Sequence, residues 1–264
     1  MAPSGTRGRV HPFVAFLAAL GVGSVALPLL ALLVRAPWRG ALHSLSSNGA
    51  WEALRLSLVV SSLAAVLSIA LGLPIAWVLA RGRVPGRGLV RAVVVLPIVL
   101  PPVVGGIALL AALGRGGILG RWLYGAVGLQ LPFTTGGSVV AATFVSMPLF
   151  VLAAESGLRS LDPALEDAAA ATGARGRYVF RRITLPLVAP QLLAGAVLAW
   201  ARALGEFGAT ITFAGNLAGR TQTLPLAVYT ARQTDPGAAV LLSLLLIALS
   251  VVVLVVLRDR LFAR

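Results

Sequence analysis

Long uncharged apolar runs alternate with short arginine-rich segments along most of this chain. Five uncharged runs occupy residues 12–34, 56–80, 92–114, 183–201 and 236–257, and a sixth, 122–154, contains a turn-rich stretch at 125–137. Each run is about long enough to cross a hydrocarbon core of ~30 Å. Because unpaired backbone groups are costly in lipid, spans of this kind are helices. The pattern therefore predicts an all-α integral membrane protein with six transmembrane helices.

With flanking residues included, the predicted transmembrane helices cover 12–34, 56–80, 89–114, 138–157, 184–208 and 236–257. They form one transmembrane domain, 12–257, with a polar loop at 158–186 and short tails at 1–11 and 258–264. Basic residues precede the first run, as in a signal peptide, but the run exceeds the ~7–15 residues of a signal peptide's apolar region. A retained helix is favoured over a cleaved signal peptide.

The composition excludes several classes of protein. Of 264 residues, 58% are apolar and only 11% are charged, which is typical of a polytopic membrane protein. All 22 basic residues are arginine, and the absence of lysine excludes a Walker A motif. If ATP drives this protein, another chain binds the ATP. The absence of cysteine excludes disulfides and thiolate metal sites.

The distribution of arginines predicts the orientation of the chain in the membrane. Six spans place both termini on the same side. Fourteen of the 22 arginines then lie on that side, namely Arg7, Arg9, Arg81, Arg83, Arg87, Arg91, Arg159, Arg175, Arg177, Arg181, Arg182, Arg258, Arg260 and Arg264. Because positive charge accumulates in cytoplasmic loops, both termini and the 158–186 loop are predicted to be cytoplasmic. The same reasoning assigns the net charge of +14 to membrane flanks rather than to nucleic-acid binding.

No set of catalytic or metal-binding residues is evident. His11 and His43 lie outside the predicted spans, and neither an HExxH nor a GxSxG motif is present. An enzyme in the membrane would need a nucleophile or a metal set, and a secondary transporter would need intramembrane acids or inverted repeats. No nucleophile or metal set, no intramembrane acid pair and no inverted repeat is evident, so both classes are minor alternatives.

Helix-breaking residues interrupt two of the predicted spans. They are Pro97, Pro101, Pro102, Gly105 and Gly106 in the third span and Met147-Pro148 in the fourth. Proline removes a backbone hydrogen bond and kinks a helix, and such breaks line cavities in transporters. Tight packing of small residues between helices is the other interpretation, and both stay open.

The loop at 158–186 has the start and stop signals of a short helix. Asp162 can cap its N-terminus, Pro163 suits its first turn, and Gly173 can end it in a left-handed conformation. A helix of ~10 residues is marginal alone in water. Its alanines, Ala168–Ala171, therefore suggest a surface docked on another subunit. An ordinary loop helix is the alternative.

The same segment resembles the EAA loop of bacterial ABC-importer permeases. That pattern is Glu-Ala-Ala, three residues, Gly, nine residues and Ile-x-Leu-Pro, and here Asp167-Ala168-Ala169, Gly173 and Ile183-Thr184-Leu185-Pro186 match its spacing. An aspartate stands in the glutamate position, directly after Glu166. The resemblance implies contact with an ATPase subunit through six residues: Glu166, Asp167, Ala168, Ala169, Gly173 and Ala174.

A second resemblance concerns the substrate. The run from Arg202 to Ala209, RALGEFGA, and the stretch Leu96–Gly105 are similar to segments of molybdate permeases and their sulfate relatives, a likeness that extends over residues 53–257. It implies a type I ABC-importer permease in a bacterial or archaeal inner membrane. The implied substrate is molybdate or tungstate, with sulfate or thiosulfate as the alternative.

The resemblance also implies partners. They are a second copy of this chain, two cytoplasmic ATPase subunits that bind ATP and Mg²⁺, and an extracytoplasmic oxyanion-binding protein. The chain itself is expected to hold no cofactor and to contact lipid.

Two charges stand inside the fifth predicted span. Arg202 lies 16 residues after Pro186, about 24 Å along a helix and so near the outer edge of the membrane core. Spaced i,i+4, Arg202 and Glu206 can neutralise each other, either as a structural pair or as the brace of an outer gate. The candidate gate and pathway residues are Pro101, Pro102, Met147, Arg202, Glu206, Thr210 and Thr212, with Asn216 beyond them. Neutral hydroxyls and amides suit a pore that must release its anion.

Overall fold

The computed structural model of the chain describes residues 11–39, 41, 49–82 and 84–262, and that part is helical with no strand. The all-α prediction is confirmed. The helices are α1 (Pro12–Arg35), α2 (Ala50–Arg81), α3 (Arg87–Val99), α4 (Pro102–Leu113), α5 (Gly120–Val127), α6 (Thr135–Ser160), α7 (Pro163–Ala171), α8 (Gly176–Val179), α9 (Leu185–Leu204), α10 (Gly208–Phe213), α11 (Leu224–Thr234) and α12 (Pro236–Phe262). Predictions for residues 1–10, His43, Arg83 and Arg264 fall outside the described residues.

Five helical stretches in the described ranges are long and apolar enough to cross a membrane. They are α1, α2, α6, the continuous stretch Gly176–Leu204 and Pro236–Val253 of α12. Helix α12 continues to Phe262, past the predicted end of its span at residue 257. The count of six spans stays a prediction, because the third predicted span, 89–114, consists of two shorter helices.

The break in the third predicted span lies at two residues with extended backbone. Helix α3 ends at Val99, and Leu100 and Pro101 precede the start of α4 at Pro102. Proline lacks the N–H that would continue the helix and keeps the preceding residue extended, which explains the break. Pro148, in contrast, lies inside the unbroken α6, so the interruption predicted at Met147-Pro148 is corrected. Pro148 is buried, and packing of α6 on its neighbours holds the helix together.

Helix α6 forms the centre of the described bundle, between α2 and α9. Its core cluster includes Leu79 of α2, Phe150, Val151 and Leu158 of α6 and Val188 of α9. Helices α2 and α6 finish at the same end of the bundle, where Arg159 Nη2 donates to the Leu79 carbonyl at 3.1 Å. Helix α1 is peripheral: it contacts α12, and none of its residues is buried.

The fifth predicted span begins and ends differently from the prediction of 184–208. One turn of π-helix, Phe180–Thr184, joins α8 to α9 without interruption. Helix α9 then stops at Leu204. The Glu206 carboxylate accepts a hydrogen bond at 2.8 Å from the backbone N–H of Ala209, in the first turn of α10.

Candidate functional site

The helix α7 is capped as the sequence predicted. Asp162 Oδ1 accepts a hydrogen bond from the Ala164 N–H at 2.9 Å, and Pro163 occupies the first helical position. Gly173 has φ +83°, the left-handed conformation that ends a helix at little cost only for glycine. The capping contacts thus form within the loop itself.

Several of the predicted coupling residues lie on the surface of the loop. Asp167, Ala168 and Gly173 are exposed, whereas Ala169 and Ala174 are half-buried. Leu165 on the same short helix is 47% exposed. An exposed leucine beside alanines gives α7 an apolar surface suited to contact with another protein.

Glu166 has a different environment from Asp167. Its Oε2 lies 3.3 Å from Arg81 Nη2 at the end of α2, and its Oε1 accepts a hydrogen bond from the Thr184 hydroxyl at 2.6 Å. Glu166, one of the predicted ATPase-contact residues, thus already has two partners within this chain. No spacing rule would have identified Arg81 and Thr184, because both partners lie far from Glu166 in sequence.

A buried carboxylate that was not singled out from the sequence lies near the same end of the bundle. Glu155 of α6 is only 3% exposed, and its Oε1 accepts hydrogen bonds from Arg91 of α3 and from Arg159 Nε at 2.9 Å. The signal that could have identified it is a single acid inside a predicted span with an arginine four residues later.

The predicted ion pair between Arg202 and Glu206 is present. Arg202 Nη1 lies 2.6 Å from Glu206 Oε2, and the Glu206 side chain is almost fully buried. Arg202 is on the last turn of α9, while Glu206 belongs to the link before α10. The pair thus bridges a helix break rather than lying along one helix face.

The break between α3 and α4 packs against the break between α9 and α10. A Cβ added to Gly208 would lie 2.6 Å from Pro102 Cβ, and one added to Gly106 would lie 2.5 Å from Thr212 Cβ. Each of these two contacts requires a glycine, Gly208 in α10 and Gly106 in α4. The structure therefore brings Pro101, Pro102, Glu206 and Thr212 into one region.

The remaining candidate pathway residues are in other surroundings. Met147 packs against the core cluster around Phe150. Thr210 is buried, and the Thr212 hydroxyl donates to the Gly208 carbonyl at 2.8 Å. Asn216 Nδ2 donates to the Thr230 hydroxyl at 2.8 Å. An oxyanion that used the Thr212 hydroxyl would have to replace its bond to Gly208, whereas the Asn216 amide has a second N–H.

No group of three or more His, Asp or Glu side chains that could hold a metal ion occurs among the described residues. The polar groups near the two breaks are hydroxyls, amides and one arginine–carboxylate pair. This arrangement has hydrogen-bond donors but no set of residues for covalent chemistry.

Comparisons with known proteins relate most of the chain to one family. Residues 68–264 match the family described as "Binding-protein-dependent transport system inner membrane component". The chain is 47% identical over 233 residues, 88% of each chain, to "Molybdenum transport system permease protein ModB" of Mycobacterium tuberculosis (strain ATCC 25618 / H37Rv). It is 36% identical over 227 residues to "Sulfate transport system permease protein CysW" of Synechocystis sp., covering 83% of this chain and 82% of that relative.

Among solved structures, the chain is similar to one in a bacterial ABC transporter involved in the import of the acidic polysaccharide alginate. The TM-score is 0.73 at 17% identity, covering 94% of this chain and 92% of the other. At that identity the likeness shows the shared fold.

Proposed function

Since this chain belongs to the family of binding-protein-dependent transport system inner membrane components, we propose that it is the permease subunit of an ATP-driven molybdate importer. The observation that carries this function is 47% identity, over 88% of both chains, to a relative named a molybdenum transport permease. The chain is a multi-pass inner-membrane protein with the type I ABC-importer permease fold. It is a transport subunit, not an enzyme. Tungstate, a tetrahedral dianion like molybdate, is a second proposed substrate.

The proposed assembly contains two copies of this chain, two cytoplasmic ATPase subunits and an extracytoplasmic oxyanion-binding protein. A separate ATPase is required because a chain without lysine has no Walker A motif to bind ATP and Mg²⁺. The exposed Asp167, Ala168 and Gly173 form the proposed ATPase contact. Both termini and the coupling loop are placed on the cytoplasmic side, as the arginine distribution predicts.

In this mechanism, α7 transfers movement of the ATPase subunits to the transmembrane helices. Glu166 ties α7 to the end of α2 and to the π turn before α9, so displacement of α7 pulls on both helices. The facing breaks at Pro101 and Glu206 are the proposed place where the pathway opens and closes. Hydroxyls and amides near them would pass the anion on, because a strongly binding arginine cluster would hold it.

The test is uptake of radiolabelled molybdate by vesicles that contain the permease, its ATPase and its binding protein. We expect uptake that requires ATP and is inhibited by excess tungstate but not by equal excess sulfate. The sulfate-permease relative motivates the alternative function, and equal inhibition by sulfate would favour it. Uptake without ATP would contradict an ABC importer and favour a secondary transporter.

A further inference from the structure

The strongest feature outside the predicted sites is a chain of ion pairs and charge-assisted hydrogen bonds at the end of the bundle near α7. It contains two carboxylates, Glu155 and Glu166, and three arginines, Arg81, Arg91 and Arg159. We name these five residues the arginine brace. We propose that the arginine brace transmits movement of α7 to α3, the helix that leads to the break at Pro101.

Glu155 is the centre of the arginine brace. It lies on the central helix α6 and is 3% exposed, yet Arg91 and Arg159 both donate to the same oxygen, Oε1. A buried carboxylate needs such partners because removing its charge from water is costly. The two arginines come from two different helices, so the carboxylate joins α3 to α6.

Arg91 is the principal polar attachment of α3. No residue of α3 is fully buried, and its one contact with the core cluster around Phe150 is the partly buried Val94. Its one ion pair among the described residues is the pair with Glu155. Movement of the α6 end therefore has a direct polar connection to α3 at Arg91, one turn from Val94.

Reciprocal hydrogen bonds connect α6 to α2. Arg159 Nη2 of α6 donates to the Leu79 carbonyl of α2 at 3.1 Å, and Arg81 Nη2 of α2 donates to the Leu161 carbonyl just after α6 at 3.1 Å. Carbonyls in the last turn of a helix have no partner within that helix and attract cations. Each helix end thus supplies the arginine that binds the carbonyl of the other.

Arg81 completes the connection, because Arg81 Nη2 also lies 3.3 Å from Glu166 on α7. The path therefore runs from α7 to α2, from α2 to α6, and from α6 to α3. Helix α3 ends at the break that packs on α10 through Pro102 and Gly208. In this role the five residues are positioning residues that need no contact with the transported anion.

The proposal rests on the proposed function, and the variant Arg91→Gln tests it in the full transporter complex. This variant removes the ion pair between α3 and Glu155. Arg159 still binds Glu155, so the buried carboxylate keeps a cation. We expect molybdate moved per ATP hydrolysed to fall at least about fivefold, within the range of site-to-site coupling in proteins. Arg87→Gln is the matched control, because Arg87 is on the same helix and forms no ion pair with a described residue.

A purely structural role would lower assembly without changing the ratio of uptake to hydrolysis. Arg91→Lys, which keeps the cation, should restore most of the ratio. An uptake per ATP that is equal in Arg91→Gln and Arg87→Gln would overturn the proposal. If Arg91→Gln does not assemble, the ratio of uptake to hydrolysis is measured in Arg159→Gln, which breaks the connection between α6 and α2. A normal ratio in Arg159→Gln would also overturn the proposal.

A second measurement does not depend on the cargo. Because the chain has no cysteine, Val99→Cys gives a single thiol at the end of α3, where the native side chain is 78% exposed. We expect its maleimide labelling rate to change when the ATPase is trapped with nucleotide and vanadate, and Arg91→Gln to abolish that change. If the labelling rate still changes on trapping in Arg91→Gln, the proposed role of the arginine brace is contradicted. If wild-type vesicles move no molybdate but the labelling response is present, the proposed function fails and the brace stands.

Discussion

At the scale of single residues, two buried carboxylates are compensated in different ways. Glu155 is bound by two arginines, whereas Glu206 has one arginine and one backbone N–H. Because an uncompensated buried charge is strongly destabilising, each carboxylate depends on its partners. Glu206 has a further effect, since it binds a backbone N–H in the first turn of α10 that has no partner within that helix.

Replacing Glu206 by Gln should change gating more than stability. The amide keeps one oxygen for the Ala209 N–H, and Arg202 is 33% exposed and partly solvated, so we expect a loss of only about 1–3 kcal/mol. Without the ion pair, the link between α9 and α10 should be looser, with altered molybdate uptake and higher basal ATPase activity in vesicles.

The matched control is Glu52→Gln, which neutralises an exposed carboxylate at the start of α2. It should leave uptake and basal hydrolysis unchanged. Normal transport by the Glu206→Gln variant at normal expression would mean that the Arg202–Glu206 pair is structural only.

Replacing Gly173 by Val should uncouple ATP hydrolysis from uptake. The space around Gly173 is open, so the effect comes from its φ of +83°, which costs a β-branched residue about 1–3 kcal/mol. The end of α7 should then adopt another backbone path while the transmembrane helices stay folded. Uptake and ATPase activity measured on the same vesicles would reveal this uncoupling.

Gly176→Val is the control for this change, because Gly176 is in the same loop with open space around it and no positive φ. It should transport like the native chain. If Gly173→Val transports equally well, Gly173 has no part in docking.

At the scale of elements, close approach between helices depends on small residues. Gly72 of α2 faces Phe150 of α6, Gly195 of α9 faces Ala153, and Gly106 of α4 faces Thr212 of α10. Without a hydrophobic force between helices in lipid, such close packing supplies much of the association. The contact of α4 with α10 also joins the two helix breaks, where the pathway is proposed to open and close.

Replacing Gly106 by Val should force α4 away from α10. A Cβ there would lie 2.5 Å from Thr212 Cβ and 3.0 Å from the Ala209 carbonyl oxygen, which allows no side chain without movement. Overpacking of this kind costs about 1–3 kcal/mol. We expect a lower thermal unfolding temperature in detergent.

Gly21→Val in α1 provides the comparison, because a Cβ at Gly21 meets nothing within 4 Å. Equal unfolding temperatures for the two variants would contradict the tight α4–α10 contact.

The sequence predicted those elements whose limits are determined locally. The start of α7 at Asp162 and Pro163 and the break before Pro102 follow from local rules of capping and proline geometry. The end of α9 at Leu204 does not, because it depends on how Glu206 is bound in three dimensions. Likewise, the position of Glu166 was predicted, but its partner Arg81 on another helix was not.

At the scale of the whole molecule, charge asymmetry predicts how the chain lies in the membrane. Fourteen of the 22 arginines are on the side assigned to the cytoplasm. The loop with α7 and the termini should therefore face the ATPase, and the link between α4 and α5 should face the outside.

Single-cysteine labelling in intact cells tests this orientation, since the native chain has no cysteine. Ile118 between α4 and α5 is 90% exposed, and Thr172 after α7 is exposed as well. A membrane-impermeant maleimide should label Ile118→Cys in cells and Thr172→Cys only after the cells are lysed. The reverse pattern would invert the predicted topology.

The π turn at Phe180–Thr184 has a mechanical consequence for the rod from Gly176 to Leu204. A π turn contains one residue more per hydrogen-bonded turn than an α turn. If that turn converted to α geometry, the two parts of the rod would shift by one residue, about 1.5 Å along the axis and about 100° around it. Conversion of the turn at Phe180–Thr184 would therefore rotate the part of the helix that follows it. A displacement of the loop would become a rotation of the end of α9 at Arg202, and the helix between them would stay continuous.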